Sequence, residues 1–196
     1  MSKRIIDLIL GFTGILITAL LFLPVAAAIK LDSPGPVFFK QNRVSKNGKI
    51  FRFYKFRTMF TGSSFTPEEM DRLNEAHFPL FKMKNDPRIT RTGKFLRKYS
   101  IDEFPQFWNV LKGEMSIVGP RPPLVHEVEN YNEHQKKRLS VKQGITGLWQ
   151  VSGRSNVYFD RMVNLDIYYI ENRSLWLDIK IILKTIPEIF IHTGAY

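Results

Sequence analysis

At 196 residues, with 29 Lys and Arg against 18 Asp and Glu and a formal charge of +11, the chain is sized for one domain with its own core. Its charge favours polyanionic partners: nucleic acid, anionic lipid or phosphorylated small molecules. The absence of cysteine excludes disulfide frameworks, Cys-ligated zinc and thiol nucleophiles, so any chemistry must run on oxygen and nitrogen groups.

From Leu8 to Ile29, 22 residues pass without a charge, about 33 Å if fully helical and enough to cross a hydrocarbon core. A secretory signal is one competing reading, with Ala26 to Ala28 resembling a cleavage site, but the run exceeds the ~7 to 15 residues of a signal core. A plain transmembrane span is another. Pro24 cannot donate to the Leu20 carbonyl and predicts a kink. Lys3 and Arg4 stand before the run and Lys30, Lys40 and Arg43 after it, whereas a span carries its basic excess on one side. Residues 1–31 are therefore expected to form a helix, a break and a second helix that enter and leave the membrane by the same face, with a domain of residues 32–196 beyond.

"VFFKQNRVSKNGKIFRFYKF" predicts two strands around the Asn47-Gly48 turn. Basic and aromatic residues interleave in the second strand, which would suit a single-stranded nucleic-acid platform. A half-buried strand explains the same period of two with less and is preferred. "TPEEMDRLNEA" opens a polar helix with Thr66 as cap and Glu69 completing a capping box. "NDPRITRTGKFLRKYS" is a loop and a short basic helix that brings Arg88, Arg91, Lys94, Arg97 and Lys98 ahead of two acids.

In "DEFPQFWNVLKG", Phe104, Phe107, Trp108 and Leu111 share a helix face and Lys112-Gly113 ends it. Asp102 and Glu103 then fall at the helix N-terminus, where the dipole favours the ionised carboxylate that a phosphoryl nucleophile or a Mg²⁺ ligand requires. The plainer alternative is that Asp102 only caps and Glu103 only completes a capping box, for which Ser100 is a competing cap. "VGPRPP" holds Arg121 on a stiff turn, and a guanidinium grips phosphate oxygens in a bidentate fashion. Acids with an arginine suggest phosphoryl transfer. No Walker or kinase glycine loop is present, and the four histidines are scattered. "LVHEVENYNEHQKKRL" reads as a helix, and "GITGLWQVSGRS" as a turn system carrying Trp149 and Arg154. "SLWLDIKIILKTIPEIFI" from Ser174 suits an interfacial helix on lipid or a buried core helix.

Taken together, the apolar N-terminus, "YKFRTM", "DPRITRTGKFLRKYSIDEFPQFWNVLKGEMSIVGPRP", "GITGLWQVSGR" and "LDIYYI" resemble the bacterial sugar transferases, the monotopic polyprenol-phosphate phosphoglycosyl transferases. The resemblance covers nearly the whole chain. It implies transfer of a sugar-1-phosphate from a UDP-sugar to polyprenol (undecaprenyl) phosphate at the bacterial inner membrane, with the catalytic domain cytoplasmic. UMP would leave, and the product would start a surface polysaccharide or glycoconjugate. The Asp matching Asp102 attacks the sugar-bearing phosphate, Glu103 matches its catalytic neighbour, and Mg²⁺ neutralises the diphosphate, so that both acids are its candidate ligands. Lys55, Arg97, Arg121, Arg154 and Asp166 fall in matching motifs and are assigned to phosphate, nucleotide or lipid-phosphate contacts, or to bracing the site. Members with a re-entrant hairpin often carry Ser before the kinking proline, where this chain has Leu23. The ending "HTGAY" resembles the hexose-1-phosphate branch, in a short catalytic-core form.

The expected fold is α/β: a re-entrant membrane hairpin, a mostly helical domain with a small β element, and interfacial helices. A membrane-tethered nucleic-acid or lipid-binding module and an inactive scaffold are the alternatives. The phosphoglycosyl transferase reading expects no nucleic-acid partner and leaves homo-oligomerisation open.

Overall fold

The computed structural model describes residues 2–75, 83, 85–153 and 158–191. It is mainly helical, with two small sheets. Helix α1 spans Ser2–Asp32. Strands β1 (Phe38–Val44) and β2 (Ile50–Phe56) pair antiparallel, Phe38 opposite Phe56 and Val44 opposite Ile50. The expected turn lies between them, with Asn47 and Gly48 at φ 59° and 76°, the left-handed region that Asn and Gly tolerate best.

Helix α2 (Pro67–Leu73) carries the Thr66–Glu69 capping box. Thr90 caps α3 (Arg91–Lys98) by accepting from Gly93 N. Helix α4 (Gln106–Lys112) stops at Gly113, φ 78°. Strand β3 (Ser116–Val118) pairs in parallel with β4 (Gly144–Thr146). Between them lie α5 (Val125–Glu129) and α6 (Glu133–Lys136), then α7 (Phe159–Asn172) and α8 (Leu175–Ile191) follow.

Two expectations need correction. The single helix expected across residues 124–139 is split, because the Asn132 side chain accepts from Gln135 N while Gln135 accepts from Asn132 N. This local capping competes with helix continuation. The break expected at Pro24 is also absent, since α1 remains one helix through the proline. Docking on both sides of Pro24 accounts for this. Thr18 donates to Gly14 O at 2.6 Å and reaches Phe104 O at 3.3 Å, while Val25 and Ile29 bury against Phe56 and Leu96. That packing offsets the cost of one missing helix bond, about 3 kcal/mol.

Helix α1 is fastened at its ends as well. Lys3 donates to Asp178 (2.7 Å), Val118 O (3.1 Å) and the Tyr169 hydroxyl (3.2 Å). Arg4 caps the last carbonyls of α4, at Val110 (2.7 Å) and Leu111 (2.8 Å). Buried Asp7 accepts from Ser116 Oγ and Ile117 N at 2.9 and 2.8 Å. At the other end Asp32 accepts from Thr92 N at 2.7 Å, in the first turn of α3, and Arg57 donates to Ser33 O at 2.7 Å. The opposite face of α1 carries Ile5, Ile9, Phe12, Leu16, Leu20 and Leu23, all exposed. Helix α8 combines both readings made of it: Ile181 and Asp178 are buried, while Trp176, Ile179, Leu183 and Ile186 face outward.

Gly14 sets how closely α1 approaches α4, because a Cβ there would fall within the Phe107 ring. Gly14→Val should lift α1 from α4 and cost on the order of 1–3 kcal/mol. Gly11→Ala, which meets the flexible tip of Leu111 at 3.0 Å, should cost less. Thermal unfolding of the two variants in detergent checks the order.

Candidate active site

Lys55 lies in phase with the buried Phe51 and Phe53 on β2, so its side chain points where a core residue would. Its ammonium sits 5.7 Å from the Phe53 ring centroid and reaches the two acids. The backbone that delivers those acids turns at Ser100, φ 56°, and forms a 3₁₀ turn over Ile101–Glu103. Pro105 then precedes α4 as its N-cap. The acids thus occupy a separate turn before α4, and neither Ser100 nor Pro105 makes a side-chain cap bond. Lys55 Nζ lies 2.6 Å from Glu103 Oε1 and 3.3 Å from Asp102 Oδ2. Arg121 Nη1 stands 3.5 Å from the same Glu103 oxygen.

This placement changes the expected electrostatics. Asp102 is 5% exposed, and burial pushes its carboxyl above the ordinary value, Lys55 and Arg97 opposing and Glu103 adding to the rise. Lys55 and Arg97 favour the ionised carboxylate while burial, the larger influence, favours the neutral one, a different balance from the helix-dipole effect expected from sequence. Arg97 is anchored by Nε to Thr58 Oγ1 at 3.0 Å. Arg43 is brought down to about 10, mainly by burial and then by Arg121, so it still carries its charge at neutral pH.

A cavity of about 980 Å³ contains this cluster. Lys55, Arg97, Asp102, Glu103 and Arg121 all line it, together with Arg43 and Arg138, and its other side is apolar, closed by α1, α4 and α8. Asp166 is not among the lining residues. It is 1% exposed and binds Arg138 Nε at 2.9 Å. Burial pushes the Asp166 carboxyl up to about 6 against the pull of Arg138. Arg138 also donates to the Tyr131 hydroxyl (2.6 Å) and approaches Arg121 O at 3.5 Å. Arg154 lies outside the described residues. Arg43 and Arg138 are functional candidates that sequence reasoning missed. Arg43 follows the alternation of a hairpin strand, but Arg138, within "HQKKRL", has no local mark separating it from its solvated neighbours.

Among the described residues no group of three or more His, Cys, Asp or Glu side chains is placed to hold a metal. The adjacent carboxylates of Asp102 and Glu103 in the cavity wall nevertheless fit Mg²⁺, which commonly takes one or two carboxylates and completes its shell with water and substrate phosphates.

A long apolar helix, exposed along one face, borders a cation-lined cavity that holds paired carboxylates. The chain belongs to the bacterial sugar transferase family, whose model matches residues 1–192. It is 51% identical to the galactosyl transferase CpsE of Streptococcus agalactiae, over 99% of this chain and 43% of that protein. It is 42% identical to the undecaprenyl-phosphate galactose phosphotransferase of Salmonella typhimurium, over 99% of this chain and 41% of that protein. The exopolysaccharide production protein ExoY of Rhizobium meliloti is 40% identical over 100% of this chain and 88% of its own length. The chain thus spans less than half of two of these relatives and most of the third.

Arg138→Met would leave Asp166 buried without its cation, and should destabilise the protein by about 3–5 kcal/mol. Pairing it with Asp166→Leu should recover a large part of that loss. Urea unfolding of the single and double variants measures both.

Proposed function

We propose that the protein transfers a sugar-1-phosphate from a UDP-sugar to polyprenol phosphate, releasing UMP, through a covalent phosphosugar-aspartate. The observation that carries this reading is the pairing of buried Asp102 with Glu103 under Lys55 and Arg121 in one cavity. The ionised Asp102 oxygen attacks the sugar-bearing phosphorus, and the bond from that phosphorus to the UMP oxygen breaks. An oxygen of polyprenol phosphate then attacks the same phosphorus, and the aspartyl oxygen leaves as carboxylate. Lys55 and Arg97 favour the ionised form of Asp102, and Arg121 and Arg43 orient the phosphate oxygens. Arg138, held by Asp166, supports the Arg121 turn from behind. Mg²⁺ on Asp102 or Glu103 would neutralise diphosphate charge as UMP departs. The names of the Salmonella and Streptococcus relatives support the substrate class.

With UDP-sugar present and acceptor withheld, intact-mass spectrometry should find a phosphosugar adduct on Asp102. Asp102→Asn should form none and lose turnover by several orders of magnitude. An adduct on another residue, or turnover that requires both substrates bound together, contradicts the mechanism.

The same reading puts both ends of α1 on the cytoplasmic side. A helix of 31 residues, about 46 Å long, is bound to one globular body at Lys3–Asp7 and again at Ile29–Asp32. Crossing the bilayer would pull one set of contacts apart. The exposed stripe from Ile5 to Leu23 then faces lipid while the charged ends stay at the surface. Single cysteines at Ser2 and at exposed Asn47 should both resist an impermeant thiol reagent in intact cells. Labelling of Ser2→Cys alone would establish a span.

A further inference from the structure

Beside the large cavity lies a second one, of about 280 Å³, between α1 and α8. Its lining is entirely apolar: Ile6, Ile9, Leu10, Ile179, Ile182 and Leu183. Leu10 and Ile182 also line the large cavity, so the same two side chains border both spaces. On its outer side Ile9 and Leu183 are 60% and 59% exposed, which opens the small cavity onto the apolar surface shared by α1 and α8. The two adjoining spaces thus form a series: an apolar surface, an apolar pocket bordered by Leu10 and Ile182, and a larger cavity lined both by apolar side chains, Ile17, Phe107 and Ile186 among them, and by the cations around Asp102 and Glu103.

Such a series matches one kind of ligand, an amphiphile with a single flexible apolar chain and an anionic end. A nucleotide sugar offers nothing to an all-apolar pocket. A diacyl phospholipid carries its phosphate on glycerol with two chains, both of which would have to pass the same pair of side chains. We infer that the seam between α1 and α8 is the chain-binding subsite for the isoprenoid tail of the lipid-phosphate acceptor, with Leu10 and Ile182 as the side chains the tail passes. This rests on the proposed transfer to a lipid phosphate and adds where the acceptor enters and what holds its tail. The driving force is burial of the chain against Ile6, Ile9, Ile179 and Leu183. The phosphate it carries is drawn inward by Lys55, Arg97 and Arg121.

The test is photo-crosslinking of the full chain in lipid nanodiscs with a long-chain isoprenyl phosphate bearing a diazirine on its tail. Peptide mapping should place the crosslinks within residues 6–10 and 179–183, and unlabelled undecaprenyl phosphate should compete them away. Leu183→Asn should raise the KM for a long-chain acceptor at least ~tenfold and for a five-carbon prenyl phosphate less than ~twofold. Leu23→Asn, equally lipid-facing but remote from the seam, should change neither. Crosslinks confined to other segments, or equal effects of Leu183→Asn on long and short acceptors, overturn the assignment while leaving the transfer reaction intact. So does labelling of the seam by a photoreactive phosphatidylglycerol but not by the isoprenyl phosphate. If no prenyl phosphate of any length discharges the enzyme-bound sugar phosphate, the transfer reading fails and the subsite fails with it.

Discussion

The arrangement depends on how α1 is held. An apolar helix with Lys3, Arg4 and Asp7 near its start would ordinarily leave those charges in water. Here each is committed to the globular body, at Asp178, at the last carbonyls of α4, and at Ser116 and Ile117. These bonds fix the axial position of α1, so Gly11 and Gly14 fall opposite Leu111 and Phe107. Phe107 and α4 are thereby set against the turn that carries Asp102. The wall of the cavity, the position of the acids and the exposed apolar stripe all follow from one docked helix. Removing α1 would open the cavity where Leu10, Gly14 and Ile17 now line it.

Within that frame the electrostatics are crowded on the positive side. Arg43, Lys55, Arg57, Arg88, Arg97, Arg121 and Arg138 all reach one cavity, against Asp86, Asp102, Glu103 and Glu127. Arg43 and Arg97 both lose some affinity for their protons through burial, a cost that an arriving polyanion would repay. A diphosphate is suited to this, since its charge is spread over several oxygens. Asp102 is the counterweight: burial and Glu103 favour its neutral form, and Lys55 and Arg97 oppose that.

Much of the site could be read from sequence because local rules govern it. The Asn47-Gly48 turn, the Thr66–Glu69 box and the Gly113 stop follow short-range chemistry. Lys55 keeps the phase of Phe51 and Phe53, which marks it as facing inward. Asp102 and Glu103 are neighbours in the chain and remain neighbours in space. Features made by distant partners were not legible. Lys3 and Arg4 resemble a membrane flank until Asp178 and the end of α4 are placed beside them, separations of 175 and 106 residues for Lys3–Asp178 and Arg4–Val110. Pro24 predicted a break because its lost bond is local, whereas the contacts of Thr18, Val25 and Ile29 that keep the helix whole are not. Arg138 is set apart from Lys136 and Lys137 by its distant partners, Asp166, Tyr131 and the Arg121 carbonyl.

The segment from Pro120 to Pro123 has a further consequence, for the order of folding. Three of its four residues are prolines without an amide hydrogen, so the backbone there mostly accepts. Its carbonyls are taken by Gly144 N, Arg138, Arg43 and Val44 N, for Pro120, Arg121, Pro122 and Pro123 in turn. These partners come from the first hairpin, the stretch before β4 and β4 itself, with Arg43 and Pro122 separated by 79 residues. No local nucleus can assemble Arg121 in its place, because its setting exists only after those distant pieces have met. The guanidinium facing Glu103 reaches its place only once those segments are in contact, and a chain with native helices can still lack a finished site.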